Sequence, residues 1–195
     1  MENAFLQKQI IRNNIRNTIK QLRSIEQKYA ADSITNLIIN YLNLYTHYQN
    51  IACYWPTTYE INTISLMKFL LDNNKYCYLP VINNKNLTLK FIKYDNNTKL
   101  IKNKFGILEP EFNIEYAISI EYLDIIFMPL VAFDKLGNRI GSGAGFYDRS
   151  LANKAKYSCK LIGLAYSIQQ VESCEPDPWD IHLDHVITES QWFNF

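Results

Sequence analysis

The stretch Phe133-Asp134-Lys135-Leu136-Gly137-Asn138-Arg139-Ile140-Gly141-Ser142-Gly143-Ala144-Gly145-Phe146-Tyr147-Asp148-Arg149 follows an apolar run from Leu123 to Ala132. A near-continuous apolar run of that kind reads as a strand buried on both faces of a parallel sheet. Beyond it come a turn signal at Gly137-Asn138, the basic Arg139, glycines at 141, 143 and 145, and a helix expected from Phe146 to Lys154. A buried strand, a glycine-rich loop and a helix start, in that order, present bare backbone amides to an anion, so the loop is a candidate phosphate site. Alternating glycines keep Cβ atoms off a ligand and permit positive φ where the loop curls. Arg139 would supply fixed charge and Asp148 a ligand for a cation. The loop is neither G-x-G-x-x-G nor a P-loop, because Phe146 occupies the last glycine position and no Lys-Ser or Lys-Thr pair follows. Ser142 is no nucleophile elbow either, since Ile140 stands where G-x-S-x-G needs glycine. Taken alone, the loop is equally compatible with a tight strand-to-helix connection.

Working outward, Ile11, Ile15, Ile19 and Leu22 form one apolar stripe of a helix over Phe5 to Ser24, with Lys8, Arg12 and Arg16 recurring at every fourth position beside it. A second helix is expected from a cap at Ser33 to Tyr48, and a third from Thr63 to Leu71 before the Asn73-Asn74 break. Strands are expected at Asn50 to Trp55, Tyr76 to Ile82, Leu87 to Tyr94, Lys160 to Tyr166 and His185 to Glu189. Strands alternating with helices imply an α/β fold, three-layered, with a largely parallel mixed sheet, helices on both faces, and ligands outside the carboxyl ends of the strands.

The 195 residues, 48% of them hydrophobic, suffice for one domain with a substantial core, and no linker-like stretch divides them, so residues 1–195 are read as a single domain. Twenty Lys and Arg against nineteen Asp and Glu leave a net charge of +1, so no global field favours nucleic acid or an anionic membrane. With no signal-like N-terminus and no span-length apolar run, a cytoplasmic protein is expected. Cys53, Cys77, Cys159 and Cys174 lack C-x-x-C spacing and read as reduced core residues.

Several residues carry two readings. Lys8, Arg12 and Arg16 are either a solvated helix face or a basic edge that reaches polyphosphate. Glu60, after a strand and before a helix, is either a helix-start carboxylate or a ligand-binding one. Trp55 suits the core or the wall of a pocket for a flat ligand. His182 and His185 alternate with apolar residues in a strand-like pattern and make a weak case for a transition metal.

Together these segments resemble the 5-formyltetrahydrofolate cyclo-ligase family, also called 5,10-methenyltetrahydrofolate synthetase. The segment from Phe133 to Asp148 is similar to the family signature F-D-x-x-G-x-R-L-G-x-G-x-G-Y-Y-D, with Ile140 for Leu and Phe146 for Tyr. Some members carry a further basic residue in this loop, where this chain has Ser142 or Ala144. Lys8-x-x-x-Arg12, Glu60-Ile61-x-Thr63, Gly106-Ile107-Leu108-Glu109-Pro110 and Trp179-Asp180-Ile181-x-Leu183-Asp184 resemble further family segments in order. The resemblance implies ATP-dependent cyclisation of 5-formyltetrahydrofolate to 5,10-methenyltetrahydrofolate, with release of ADP and phosphate. It implies ATP contacts from Lys8, Arg12, Arg139, Ile140, Gly141, Ser142, Gly143, Ala144, Gly145, Phe146 and Tyr147. The folate would meet Trp55, Glu60 and Ser142 to Tyr147, with Arg139, Glu60 and Tyr147 in catalytic roles and Mg²⁺ at Asp148 and Asp180. The partners implied are those two small molecules, acting on a monomer without nucleic acid or membrane. Competing readings are another phosphate-handling enzyme on a related α/β scaffold, such as a sugar-phosphate isomerase, and a non-catalytic binding module.

Overall fold

The computed structural model describes residues 2–195, with side chains from residue 5 onward. Two long helices, α1 (Glu2–Gln21) and α2 (Ser24–Leu44), precede β1 (Asn50–Ala52), α3 (Ile64–Asp72) and the hairpin β2 (Tyr76–Asn83) and β3 (Thr88–Tyr94). Short strands β4 (Leu100–Lys102), β5 (Leu108–Pro110) and β6 (Ala117–Ile118) lead to β7 (Ile125–Pro129). Then follow β8 (Ala132–Phe133), β9 (Arg139–Ile140), α4 (Phe146–Ser150), β10 (Lys160–Leu164), β11 (His185–Ile187) and β12 (Trp192–Asn194). The main sheet has the order β12-β11-β10-β7-β1-β2-β3-β6. Its centre, from β11 through β10, β7 and β1 to β2, is parallel, while β12, β3 and β6 run antiparallel at the edges. The expected mixed, mainly parallel α/β sheet is therefore the one observed.

β7 shows why that centre is apolar throughout. Ile125 and Phe127 join the core beneath α1, α2 and α3, where Ile19, Ile34, Ile38 and Leu70 also pack. Ile126 and Met128 point to the opposite face and pack with Leu151, Leu161 and Val186. Alternate residues thus serve opposite layers, and each large apolar side chain so buried contributes about 1.5–3 kcal/mol. Helices α1, α2 and α3 share one face, whereas the other is covered by the short helix α4 and irregular chain.

The elements depart from the sequence expectation in four places. α2 begins at Ser24, not at Ser33, because the stripe Ala30, Ile34, Ile38 and Leu42 continues through Ser33, and Glu26 accepts the Arg23 amide at 2.8 Å to close the helix start. The apolar run after Leu123 is not one strand: β7 stops at Pro129 and β8 leaves the main sheet to pair with β9. α4 ends at Ser150, whose hydroxyl bonds back to the Phe146 carbonyl at 2.6 Å and accepts the Leu89 amide at 2.7 Å, locking that last turn. Strands β4, β5, β6, β9 and β12 are not expected from the sequence; at two or three residues each they are defined by their partners and not by a pattern of their own.

Candidate active site

The glycine loop hangs from the β8–β9 hairpin, and one carboxylate builds that hairpin. Asp134 Oδ1 accepts the amides of Leu136 (2.9 Å) and Asn138 (3.0 Å), and its Oδ2 accepts the Asn138 side chain and the Cys174 amide, both at 3.0 Å. Burial opposes ionisation of Asp134, but these four bonds outweigh it and hold the carboxyl below its ordinary value. Arg139, directly after the turn, is 6% exposed. Its guanidinium bonds Asp148 Oδ1 at 2.7 Å and the Ile181 carbonyl, while the Ile181 amide bonds the same Asp148 oxygen at 3.1 Å. The beginning of the loop is therefore clamped to the first turn of α4 and to the C-terminal segment. Gly143 and Gly145 take φ of +106° and +65°, which β-carbons would strain, and Gly145 starts α4 from that left-handed conformation. Gly141 has ordinary φ, and nothing lies within 4 Å of where its β-carbon would be.

That loop is a wall shared by two cavities. One, of about 330 Å³, is lined mainly by apolar groups, among them Tyr54, Trp55, Pro80, Phe105, Ile107 and Phe146. The other, of about 700 Å³, is lined by Lys8, Arg12, Arg149, Asp177 and Asp180. Arg139, Gly141, Ala144, Gly145 and Asp148 border both. The apolar cavity lies at the carboxyl ends of β1 and β7, where Tyr54, Trp55 and Pro129 line it, as the parallel topology requires.

The basic row of α1 is engaged along its length. Lys8, only 7% exposed, sits 2.8 Å from both Asp177 Oδ2 and Asp180 Oδ2. Burial works against its ammonium, but the two carboxylates prevail and hold its pKa above the ordinary value. Arg12 Nε donates to the Gly141 carbonyl at 2.9 Å. Burial, reinforced by Arg16, pulls the Arg12 guanidinium below its ordinary value, against the field of Asp180. One turn further on, Arg16 is close enough to Glu60 to favour its ionised form. Lys8 and Arg12 are thus held against the C-terminal carboxylates and the glycine loop at the polar cavity, while Arg16 lines neither cavity.

The apolar cavity carries the chain after β1. Tyr54 donates to the Ile61 carbonyl at 3.0 Å and Thr63 donates to the Tyr54 carbonyl at 2.7 Å, closing a loop that carries Trp55 and Glu60. Glu60 Oε2 accepts the Thr57 amide at 2.8 Å. Its burial nonetheless raises the carboxyl above the ordinary range, against that bond and the field of Arg16. Tyr147 lines the same cavity with its hydroxyl buried and without a hydrogen-bond partner among the described residues. Burial, then the nearby Glu60, pushes its pKa far up, so the group is a neutral donor. Trp55 meets Tyr94 edge-on at 6.3 Å, serving as core on one side and cavity wall on the other.

Ser142, Ala144 and Phe146 line the apolar cavity, and Ile140 and Gly143 the polar one. Lys8, Arg12, Trp55, Glu60, Asp180 and the residues from Arg139 to Asp148 thus line one or both cavities, whereas Arg16, His182 and His185 line neither. Two residues at the site had been given no role in it. Glu109 on β5 is buried at the apolar cavity and accepts the Asn103 side chain at 2.9 Å; a lone acid inside Gly-Ile-Leu-Glu-Pro was the available signal. Asp177, the second partner of Lys8, lies in a polar stretch that offered none. His182 is bonded to the Leu136 carbonyl and His185 Nδ1 lies 2.9 Å from Asn194 Oδ1, so each has a local structural partner.

The chain matches the model of the 5-formyltetrahydrofolate cyclo-ligase family over residues 5–189. It is 40% identical over 182 residues to the 5-formyltetrahydrofolate cyclo-ligase of Haemophilus influenzae, covering 92% of this chain and 96% of that one. Among solved structures, the 5,10-methenyltetrahydrofolate synthetase of Aquifex aeolicus superposes with a TM-score of 0.80 at 26% identity, covering 96% of this chain and 92% of that one. That of Mycoplasma pneumoniae gives 0.76 at 26%, covering 93% and 98%. Whole-length likeness in sequence and in fold, with the glycine loop, the basic row and Glu60 at one site, shows that the chain belongs to the 5-formyltetrahydrofolate cyclo-ligase family.

Proposed function

We propose that the protein converts 5-formyltetrahydrofolate to 5,10-methenyltetrahydrofolate at the expense of ATP, with triphosphate in the polar cavity and pterin in the apolar one. The observation that carries this reading is the shared wall: a single glycine loop faces a basic cavity on one side and an apolar cavity with an unpartnered hydroxyl on the other. A formamide oxygen is a poor leaving group. Transfer of the γ-phosphoryl group to that oxygen breaks the bond to ADP and makes the formyl carbon electrophilic. N10 then attacks that carbon, the carbon–oxygen bond breaks, N10 loses its proton, and phosphate leaves with the formyl oxygen.

Such a reaction asks the protein mainly for positioning and charge compensation. Loop amides, Arg12 and Lys8 would hold the phosphates. Arg139, fixed by Asp148 and the Ile181 carbonyl, would keep the loop aligned and meet the transferring group from its border position. Glu60 would accept pterin N–H groups, the Tyr147 hydroxyl would donate to the folate, and Trp55 would flank it.

Mg²⁺ is implied by such chemistry, and the donor set fits it in one form. Asp148 and Asp180 each bond their protein partners through one oxygen, leaving Asp148 Oδ2 and Asp180 Oδ1 without a bond to any described residue. One or two such carboxylate oxygens, with phosphates and water, suit a hydrated Mg²⁺ that arrives with the nucleotide. Among the described residues no cluster of three ligating side chains would make a resident cage. Bound Mg²⁺ supplies neutralisation of phosphate charge. The four buried thiols suit a reducing compartment such as the cytoplasm, and among the described residues no helix is long and apolar enough to cross a membrane.

A heavy-oxygen label in the formyl group tests the reading. It should appear in the released phosphate. Label retained in water or folate, with phosphate unlabelled, would remove the phosphorylation step.

A further inference from the structure

The polar cavity has an outer end that phosphate chemistry does not explain. Two large aromatic side chains, Phe5 and Trp179, line it and are each 64% exposed. Phe5 precedes Lys8 by three residues on α1, so the two lie on one helical face, Lys8 buried against the carboxylates and Phe5 exposed beyond it. Trp179 lies between the two carboxylates that grip Lys8. The Asp177 amide bonds Asp180 Oδ2 at 2.9 Å, the Asp180 amide bonds the Asp177 carbonyl at 2.9 Å, and Lys8 ties both carboxylates to α1 at 2.8 Å. The turn that carries the indole is thereby closed on itself and pinned to the helix. Leaving an indole largely in water forgoes the burial that stabilises other aromatics, and fixing its backbone limits where it can go. A fixed, exposed, flat apolar surface at the mouth of a cation-lined cavity has a natural complement in a ligand with charge at one end and a flat heteroaromatic ring at the other.

From this geometry we infer that Trp179 is the stacking platform for the nucleotide base, with Phe5 completing the apolar rim, and that Lys8 has a second task in holding the platform through Asp177 and Asp180. The inference rests on the polar cavity being the ATP site. Binding energy is then divided: the loop, Arg12 and Lys8 hold the phosphates, and the indole holds the base. Stacking of a base on an aromatic side chain is worth on the order of 1–3 kcal/mol, so its loss should weaken ATP by roughly ten-fold or more.

The test measures binding of Mg-ATP and of inorganic tripolyphosphate to wild type, Trp179→Phe and Trp179→Ala by calorimetry, alongside the KM for ATP. Trp179→Ala should weaken ATP by about ten-fold or more and leave tripolyphosphate affinity unchanged, since that ligand has no base. Trp179→Phe should keep most of the ATP affinity, which a role in packing specific to indole would not give. KM for ATP should rise in Trp179→Ala while kcat stays within about two-fold, as expected when an interaction common to ground and transition states is removed. Unchanged ATP affinity in Trp179→Ala, or parallel loss of ATP and tripolyphosphate, would overturn the inference. Failure of wild type to bind either ligand would instead reject the ATP site itself, so the two failures are told apart.

Discussion

At the scale of single residues, Tyr147 and Glu60 are poised for a ligand at the expense of the free protein. A buried hydroxyl without a partner costs roughly 1–3 kcal/mol, and Tyr147 carries one at the cavity wall. Tyr147→Phe should therefore leave the melting temperature unchanged or higher while kcat/KM for the folate drops by about ten-fold, as for one lost hydrogen bond in a closed site. Equal activity of the two proteins would make the hydroxyl a packing accident. Glu60 follows the same logic through pH. Because burial raises its carboxyl, the folded state prefers the protonated form, so its stabilising share is complete at low pH and is lost as pH rises through the folded pKa. Glu60→Gln should match wild-type stability in acid, exceed it near neutral pH, and bind folate more weakly with ATP affinity unchanged. Thermal melts across pH, paired with calorimetry for both ligands, check all three. Glu60 is singled out by its place after a strand and before a helix, and Tyr147 only through the family resemblance. Neither signal shows their burial, which depends on Thr57, Arg16 and a cavity assembled from several strands.

At the scale of elements, the β8–β9 hairpin determines where the glycine loop sits, and Asp134 determines the hairpin. Asp134 is itself 2% exposed, and removing its carboxylate leaves four donors without their acceptor, so Asp134→Ala should cost roughly 3 kcal/mol. The carboxyl is held below its ordinary value, so its contribution is present above the unfolded pKa of about 4 and fades as pH falls through the folded one. Denaturant curves of wild type and Asp134→Ala should separate at neutral pH and draw together in acid; a gap that does not shrink would mean the charge is not what holds the turn. The sequence showed the Gly137-Asn138 turn plainly. It did not show that β8 leaves the main sheet, since an apolar run looks alike whether one strand or two use it. Nor did it show α2 starting at Ser24, where the N-terminal bond comes from the Arg23 backbone to Glu26 instead of from a conventional capping side chain. The short strands β4, β5, β6 and β12 were illegible because two or three residues carry no alternation of their own: β4 pairs with β5 and β12 with β11 in local hairpins, and β6 pairs with the distant β3.

At the scale of the whole molecule, the topology brings together residues from both ends of the chain. Lys8 and Arg12 from α1 meet Asp177 and Asp180 from the C-terminal segment across the glycine loop, while Trp55 and Glu60 approach from the far side. The parallel centre of the sheet makes this possible, because β1 and β7 end side by side and release their following loops toward the same space. The alternation of strands and helices was readable from periodicity, and so was the position of the loop near strand ends. The division into a polar and an apolar cavity was not, because it arises from side chains contributed by elements far apart in the chain. With one loop as the wall of both cavities, the two substrates should be used only together. The most direct measurement incubates the purified protein with Mg-ATP and 5-formyltetrahydrofolate, follows the absorbance of the methenyl product, and quantifies ADP in the same sample. One ADP per methenyl product, with neither formed at an appreciable rate when the other substrate is withheld, is the result expected. Methenyl product formed equally well without ATP, or ADP released without it, would contradict the account.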